Sequence, residues 1–559
     1  MKITSLGHAG FCVETSEMVV IMDPWLSPKG AFDSAWFQFP RNHHMANFVQ
    51  EKLKDHSRER FIYISHEHKD HFDADFLQSL ESNDFTFITP NFRRDELKHV
   101  LSRYPSKGVI TPSHNEQVNL PNGQIKLFLY DNELNRDSAI LLKSEGYSFL
   151  NLNDCKIFDL IPSIINEDGD IDVYTCQFSG ASWHSTCYDY PEKTYKAIAR
   201  KKTFSKFITV SKSIEMVNPR VFIPSAGPPC FLDPQLLHLN FEPVNIFPKA
   251  PKFLEFLDKV LKNQSTYRPN LMPGDVLDVP SATIEYSGVE RVNEDSYESY
   301  IHSYASEYSD FFAQRKLSST VGKPDKLLER LHKELAHKLN HLSLHNRIRT
   351  QLFIQLTDLP NKILCVDFQN KVITYVSQLP DLDYYSVTLP SWEVKRALDG
   401  KITWDDLFLT LRVSFNREPD IYQTVIHGFL SMQVEDMDWF CTKLIEFEEK
   451  QERIIVEAGG IRYSVKRFCP HQGADMRQAW IEEELVDTLV PYTSEPNLNH
   501  VDEAWTDVSK LDYFLSITRG TSCTLAPNIQ PDALSAGGYR RRADALYKTG
   551  VDSLFFWWA

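Results

Sequence analysis

Arg60-Phe61-Ile62-Tyr63-Ile64-Ser65-His66-Glu67-His68-Lys69-Asp70-His71 is the stretch whose reading decides the fold. Its first half is a short run of apolar and aromatic residues, the pattern of a buried strand. The strand stops at a histidine cluster. Three imidazoles and a carboxylate (His66, His68, Asp70 and His71) stand within six residues, and a core would not hold them without partners. A solvated polar loop is the competing account. On a loop at a strand end, alternate residues converge on one point. His66 and His68 can then serve one metal, and Asp70 and His71 a second about 3.5–4 Å away.

The neighbouring sequence supplies more strands. Ile3–Thr15 alternates around a glycine-rich kink, and Met18–Met22 is an apolar run ending at Asp23-Pro24. Ile125–Tyr130, Ala139–Lys143, Ser148–Leu152 and Val221–Pro224 are further candidates, and Pro191 to Val217 reads as a helix. Strands followed by helices, with polar clusters at strand ends, predict a layered α/β domain over residues 1–285. An α+β companion follows over 286–440. Its clearest helix is Asp325–Arg349, with leucines at 328, 331, 335, 339 and 342, and two more helical segments break at Gly400. Glu446–Val465 reads as a hairpin turning at Gly459-Gly460, within a small β-rich module over 441–500. Residues 501–559 form a last α/β segment, ending in a helix and an apolar strand.

At 559 residues the chain is long enough for roughly three or four domains. Apolar residues at 42% and charged residues at 24% exclude disordered and collagen-like classes. A net charge of −16 argues against a general nucleic-acid binder, which needs a basic face, and against a polybasic membrane-surface protein. No apolar run approaches the ~20 residues of a bilayer span. The N-terminus lacks the order of a signal peptide, and nine scattered cysteines without a C-x-x-C pair read as reduced. The expectation is a cytoplasmic protein without nucleic-acid or membrane partners.

The H-x-H-x-D-H pattern resembles the metallo-β-lactamase superfamily, which implies an αββα sandwich carrying one or two metals. Gly7-His8-Ala9-Gly10-Phe11 and Asn151-Leu152-Asn153-Asp154-Cys155 extend the likeness, and by resemblance Asp154 is the metal-bridging ligand. The CMP-N-acetylneuraminate hydroxylase branch is the closer match. Asp23-Pro24-Trp25, Trp36-Phe37, Pro224-Ser225-Ala226-Gly227, Met272-Pro273-Gly274 and Arg417-Glu418-Pro419-Asp420-Ile421-Tyr422 carry it. Two departures stand out. Where the family has a histidine about twenty residues before the bridging aspartate, this chain has Glu133, which reads equally as a ligand or a turn residue. The family's last histidine has no counterpart, and His184, Asp233, His238 and Asp275 are the candidates to replace it. A carboxylate in place of imidazole hardens a site and favours iron, with zinc or manganese as alternatives.

Phe468-Cys469-Pro470-His471-Gln472-Gly473 resembles the first ligand loop of a Rieske ferredoxin. A Rieske [2Fe–2S] cluster needs two cysteines and two histidines. The second pair should follow fifteen to twenty residues later, where Val486–Thr493 offers neither. Cys469 and His471 therefore read as a degenerate Rieske-like remnant that carries no cluster. Electrons for an oxidative reaction would come from a separate electron-transfer protein.

The function implied is a di-iron oxygenase acting on a small polar or anionic substrate. Its metal ligands are His66, His68, Glu133, Asp70, His71 and Asp154, with His184 a further candidate. A metal-dependent hydrolase of an ester, lactone or phosphodiester is the alternative, and an inactive metal-binding scaffold the third reading. Two smaller signals read as solvated faces: His337, His341 and His345 on one helix, and the basic run from Lys193 to Lys206. Trp25, Trp36, Phe37 and Phe39 read as core. His8 follows the first strand and is not assigned as a ligand.

Overall fold

Among the described residues, fourteen strands build the first 285 positions. In chain order they are β1 (Lys2–Gly7), β2 (Gly10–Glu14), β3 (Met18–Met22), β4 (Glu59–Tyr63), β5 (Thr86–Ile88), β6 (Gly108–Ile110), β7 (Gln117–Leu120), β8 (Gly123–Asp131), β9 (Arg136–Ser144), β10 (Tyr147–Asn151), β11 (Val173–Gln177), β12 (Val221–Ser225), β13 (Val276–Asp278) and β14 (Thr283–Glu285). They form an eight-stranded sheet in the order β14-β13-β1-β2-β3-β4-β5-β6 and a six-stranded sheet in the order β12-β11-β10-β9-β8-β7. The computed structural model describes residues 1–449, apart from 95, 132–135, 263–264, 290, 319–320, 382, then 453–458, 461–467 and four two-residue strand fragments beyond.

Alternation along each strand sorts the side chains into layers. Ile3, Phe11, Val13, Val20, Met22 and Tyr63 of the first sheet meet Ile125, Leu127, Ile140, Phe149, Val173 and Val221 of the second in one buried core. The opposite face of the first sheet (Cys12, Val19, Ile21, Ile62, Ile64, Phe87) is covered by the helices Met45–Leu53 and Glu96–Leu101. On the outer face of the second sheet, Phe222 meets Phe253 of the helix Ala250–Val260, and Tyr174 Oη bonds Ser213 Oγ (2.9 Å) of Glu192–Val217. The result is the αββα sandwich that the sequence predicts.

The parallel run β3-β4-β5-β6 and the parallel run β10-β11-β12 both carry the chain toward one end of the sandwich. Ligand sites of parallel sheets lie at the carboxyl ends of strands. The histidine loop leaves β4 at that end, and the Asn151–Asp154 turn leaves β10 there.

The chain divides into two units: 1–378 with 386–416 and 425–450, and 379–385 with 417–424 and 451–559. Beyond the sandwich a five-stranded sheet runs in the order Val372–Val376, Leu359–Asp367, Gln351–Leu356, Tyr384–Leu389, Ser414–Glu418. The helix expected over 325–349 spans Pro324–His341, so His345 lies outside it in a short turn and bonds the Phe368 carbonyl instead (2.9 Å). Ser391–Leu398 and Trp404–Leu409 are the two helical segments, broken at Gly400, whose positive φ of 66° suits glycine. In the second unit, Arg453–Ala458 and Ile461–Lys466 pair as an antiparallel hairpin. Residues 446–449, expected in that hairpin, instead finish the helix Met437–Glu449. Arg417 Nε donates to Asp420 Oδ1 (2.6 Å). The Cys469–His471 loop and the helix expected near the C-terminus lie outside the described residues.

Candidate metal centre

Asp23 organises the histidine loop. It sits at positive φ (40°) just past β3, which pairs in parallel with β4 so that Met22 stands beside Tyr63. Asp23 Oδ1 accepts from the Ser65 backbone N–H (2.8 Å) and Oδ2 from the Ser65 hydroxyl (2.6 Å). The same Oδ2 lies 2.9 Å from His71 Nδ1. A proton on Nδ1 shared with this carboxylate leaves Nε2 as a lone pair facing away from Asp23. That Nε2 is buried and has no hydrogen-bond partner.

Opposite it stands Asp154. Asn153, at φ 51°, turns the chain after β10, and its backbone N–H is held by Asn151 Oδ1 (2.9 Å) while its carbonyl accepts from Gln177 N–H (2.9 Å). Asp154 Oδ1, also buried without a hydrogen-bond partner, lies 3.6 Å from His71 Nε2. Asp70 Oδ2 is 4.0 Å from the same nitrogen. On the other side, His66 Nε2 and His68 Nδ1 are 2.8 Å apart, and His66 Nδ1 lies 3.2 Å from Asp137 Oδ1. His66 and His71 are buried, whereas His68 keeps an open face to solvent. The cluster therefore has an access side.

His8 joins them. Held at φ 53° between β1 and β2, it places Nε2 3.2 Å from Asp70 Oδ2, with its ring edge-on to His71 and Trp25. Two donor groups emerge: His66, His71 and Asp154, and His8, Asp70 and His71, each with ligand atoms within 4.8 Å of one another.

The electrostatics ask for a cation at the centre. Burial drives the His71 pKa down, but the charges of Asp154 and Asp70, with the bond to Asp23, outweigh it and hold it well above the usual imidazole value. Burial pushes Asp70 up, yet His71 and His8 bring it down to about 2. For Asp154, burial is likewise overcome by His71 and His66, and the carboxyl lies far below its usual range. The His68 pKa is lowered by desolvation on the side that packs into the cluster and by its neighbour His66. Without a metal, an imidazolium stands between two carboxylates. Two unpartnered buried atoms facing each other across 3.6 Å, within a set of imidazoles and carboxylates, fit one or two metal ions.

Residues 2–181 match the family model described as "Beta-lactamase superfamily domain". These residues are a beta-lactamase superfamily domain. The match contains every donor above, together with Asp23 and Asp137. Over 517 residues the chain is 26% identical to a protein of Mycolicibacterium smegmatis named as a Rieske 2Fe–2S iron–sulfur protein, covering 86% of this chain and 94% of that one. A Mycobacterium tuberculosis protein named in the same way is 30% identical over 356 residues, 59% of this chain and 65% of its own length. Among solved structures, CmlA, a diiron beta-hydroxylase from Streptomyces venezuelae, aligns at 15% identity and TM-score 0.33 over 49% of this chain and 53% of that one. The metallo-beta-lactamase fold protein YhfI from Bacillus subtilis aligns at 10% identity and TM-score 0.31, over 49% and 97%.

Other residues singled out in the sequence lie elsewhere. Glu133, Cys469 and His471 fall outside the described residues. His184 belongs to neither donor group of the superfamily domain; its Nε2 meets the Tyr190 hydroxyl at 3.1 Å. Asp233 is bound by Arg412 (2.7 Å), and Asp275 by Arg291 (2.8 Å) and the Met272 N–H (2.8 Å). His238 is exposed, 3.9 Å from Glu242. Three functional side chains carried little signal in the sequence. Asp23 and His8 stood in quoted motifs without a role, and Asp137 lies on β9, four residues beyond Glu133.

Proposed function

We propose that the chain is a metal-dependent oxygenase, with a dinuclear iron centre in its beta-lactamase superfamily domain, acting on a small polar or anionic substrate. The observation that carries it is the pair of unpartnered buried atoms, His71 Nε2 and Asp154 Oδ1, inside a mixed donor set of imidazoles with the carboxylates of Asp70 and Asp154. His66 and His68 would hold one metal and Asp70, His71 and His8 the other, with Asp154 shared between them; Glu133 is the sequence's candidate for a further carboxylate. The hydroxylase resemblance of the Asp23, Trp36 and Pro224 motifs supports the oxidative reading, as do the Rieske names of the mycobacterial relatives.

Iron bound in this set supplies the activation of O₂. The chain's own residues do the rest. Asp23 fixes the His71 tautomer, and Asp137 orients His66. His68 lies on the open side, where substrate enters. Cys469 and His471 lack a second ligand pair in the sequence, so electrons arrive from a separate electron-transfer protein rather than from a cluster in this chain.

A metal-dependent hydrolase is the second reading, favoured by the two imidazoles of the His66–His68 pair, a donor pair suited to zinc. One experiment separates the two. Iron-loaded and zinc-loaded protein are compared for stoichiometric O₂ uptake after chemical reduction and for cleavage of bis(p-nitrophenyl) phosphate. O₂ uptake by the iron form alone supports the oxygenase. Diester cleavage by the zinc form without O₂ uptake by the iron form overturns it.

A further inference from the structure

Phe32, Asp33 and Ser34 follow one another at φ 47°, 54° and 57°, three non-glycine residues in the left-handed region. They form the tip of a short loop that Ala31 and Trp36 close with two backbone bonds (2.8 and 3.2 Å). Inside it the Ala35 N–H reaches back to the Ala31 and Phe32 carbonyls (3.1 Å each). L-residues enter this region singly, because the β-carbon crowds the following carbonyl oxygen. A run of three persists only where its surroundings over-determine it.

Those surroundings come from far along the chain. Arg396, on the helix Ser391–Leu398, holds Asp33 with two bonds: Nε donates to Oδ2 (2.8 Å) and Nη2 to Oδ1 (2.7 Å). Arg315, on the helix Ser309–Ser318, pairs with the same carboxylate. Arg412 donates through Nη1 to the Asp33 carbonyl (3.3 Å) and through Nη2 to the Ser34 carbonyl (3.2 Å). Its fully buried guanidinium is fixed in turn by Asp233 (2.7 Å) and Glu393 (2.6 Å). Arg315 and Arg412 also lie over the Trp392 ring, each 5.2 Å from its centroid. The bidentate pair and the two carbonyl bonds fix both the side chain and the backbone of the turn.

The first side chain of the turn meets the metal donors. Phe32 is buried, edge-on to Trp36 (4.8 Å between ring centroids) and to His68 (6.3 Å). The other imidazoles of the cluster each face a carboxylate: His71 faces Asp23, His66 faces Asp137 and His8 faces Asp70. His68 packs against rings, Phe32 and His66, the second at 4.6 Å. It is also the imidazole with an open face to solvent, where a side chain has freedom to turn unless a fixed neighbour removes it.

We propose that Phe32 is a positioning residue for His68, and that Arg396, Arg412 and Arg315 hold it in place by clamping the left-handed turn. Residues of the 309–412 stretch then shape the metal centre without supplying a donor to it. The purpose of the device rests on the metalloenzyme reading. Full-length wild type, Arg396→Gln, Arg396→Lys, Phe32→Ala and Arg330→Gln are loaded with cobalt. Competition with a chromogenic chelator gives the affinity, the visible d–d bands report ligand geometry, and circular dichroism checks folding. Arg330→Gln removes an exposed ion pair with Asp399 (2.8 Å) away from the turn, and so controls for lost stability. Arg396→Gln and Phe32→Ala should each weaken cobalt binding about tenfold and change the d–d bands alike. Arg396→Lys, which keeps the charge, should fall between Arg396→Gln and wild type, and Arg330→Gln should match wild type. If Phe32→Ala does not fold, Phe32→Val takes its place under the same criterion. Affinity and spectrum equal to wild type in either Arg396→Gln or Phe32→Ala overturn the positioning role, as does an equal loss in Arg330→Gln. Wild type that binds no cobalt contradicts the metal reading itself, and the positioning role falls with it.

Discussion

His71 Nε2 and Asp154 Oδ1 face each other 3.6 Å apart, both buried and neither hydrogen-bonded. A buried polar atom without a partner costs about 1–3 kcal/mol. Two of them at a spacing too long for a hydrogen bond and suited to a shared ion are the signature of a metal centre.

Asp154→Asn should therefore weaken metal binding about hundredfold or more while the protein remains folded, since the amide keeps the shape and loses the anionic donor. Competition with a chromogenic chelator measures it. Affinity equal to wild type would remove Asp154 from the centre.

His8→Cys tests the ligand that completes the second donor group. With cobalt in place of the native metal, a thiolate at position 8 should add an intense sulfur-to-metal charge-transfer band in the near ultraviolet. If His8 only bonds Asp70 across 3.2 Å, cobalt binds and the band is missing.

Asp23→Asn should lower metal affinity roughly 10- to 100-fold, because Asp23 orients His71 without being a donor itself. It should also cost about 1–3 kcal/mol in urea unfolding, since the Ser65 bonds weaken with it. Unchanged affinity would mean that His71 keeps its orientation through other contacts.

How much of this was legible in the sequence depends on the distance over which each residue acts. The histidine loop could be read because a strand signal and its donors are contiguous from Arg60 to His71. Asp154 came from the resemblance of Asn151–Cys155 to a superfamily motif. His8 did not, because its closeness to Asp70 is made by the fold, which brings the β1–β2 turn next to a loop sixty-two residues away. Asp233 and Asp275 drew attention as candidates to replace the missing histidine. Each is matched by an arginine distant in sequence, Arg412 and Arg291, which no local pattern announces. The basic run misled for a related reason. Charge composition does not say which lysines of a long helix turn inward, and Lys206 does. Likewise the leucine stripe predicted the helix of 324–341 but not its end before His345.

Lys338 gives a pH test away from the metal. Fully buried, it donates to the Phe429 and Leu430 carbonyls (3.2 and 3.0 Å) and lies over the Trp404 ring. Burial pulls its pKa down to about 7, against the raising effect of Glu334 and Glu435. The unfolded chain keeps a lysine near the ordinary value of about 10.4, so between these values the unfolded state binds the extra proton. Stability must therefore rise with pH across that window, by at most about 1.4 kcal/mol per unit from this group. Urea unfolding of wild type and Lys338→Met at pH 6.5, 8 and 9.5 should show the difference moving in favour of wild type as pH rises. A flat difference would mean that Lys338 stays protonated in the folded state.

The most direct test of a dinuclear iron centre is metal content per chain in protein purified from cells supplied with both iron and zinc, without added chelator or metal. Two equivalents of iron are expected in wild type, with a marked loss in Asp154→Asn. Metal near zero in wild type, or two equivalents of zinc with no iron, would contradict it.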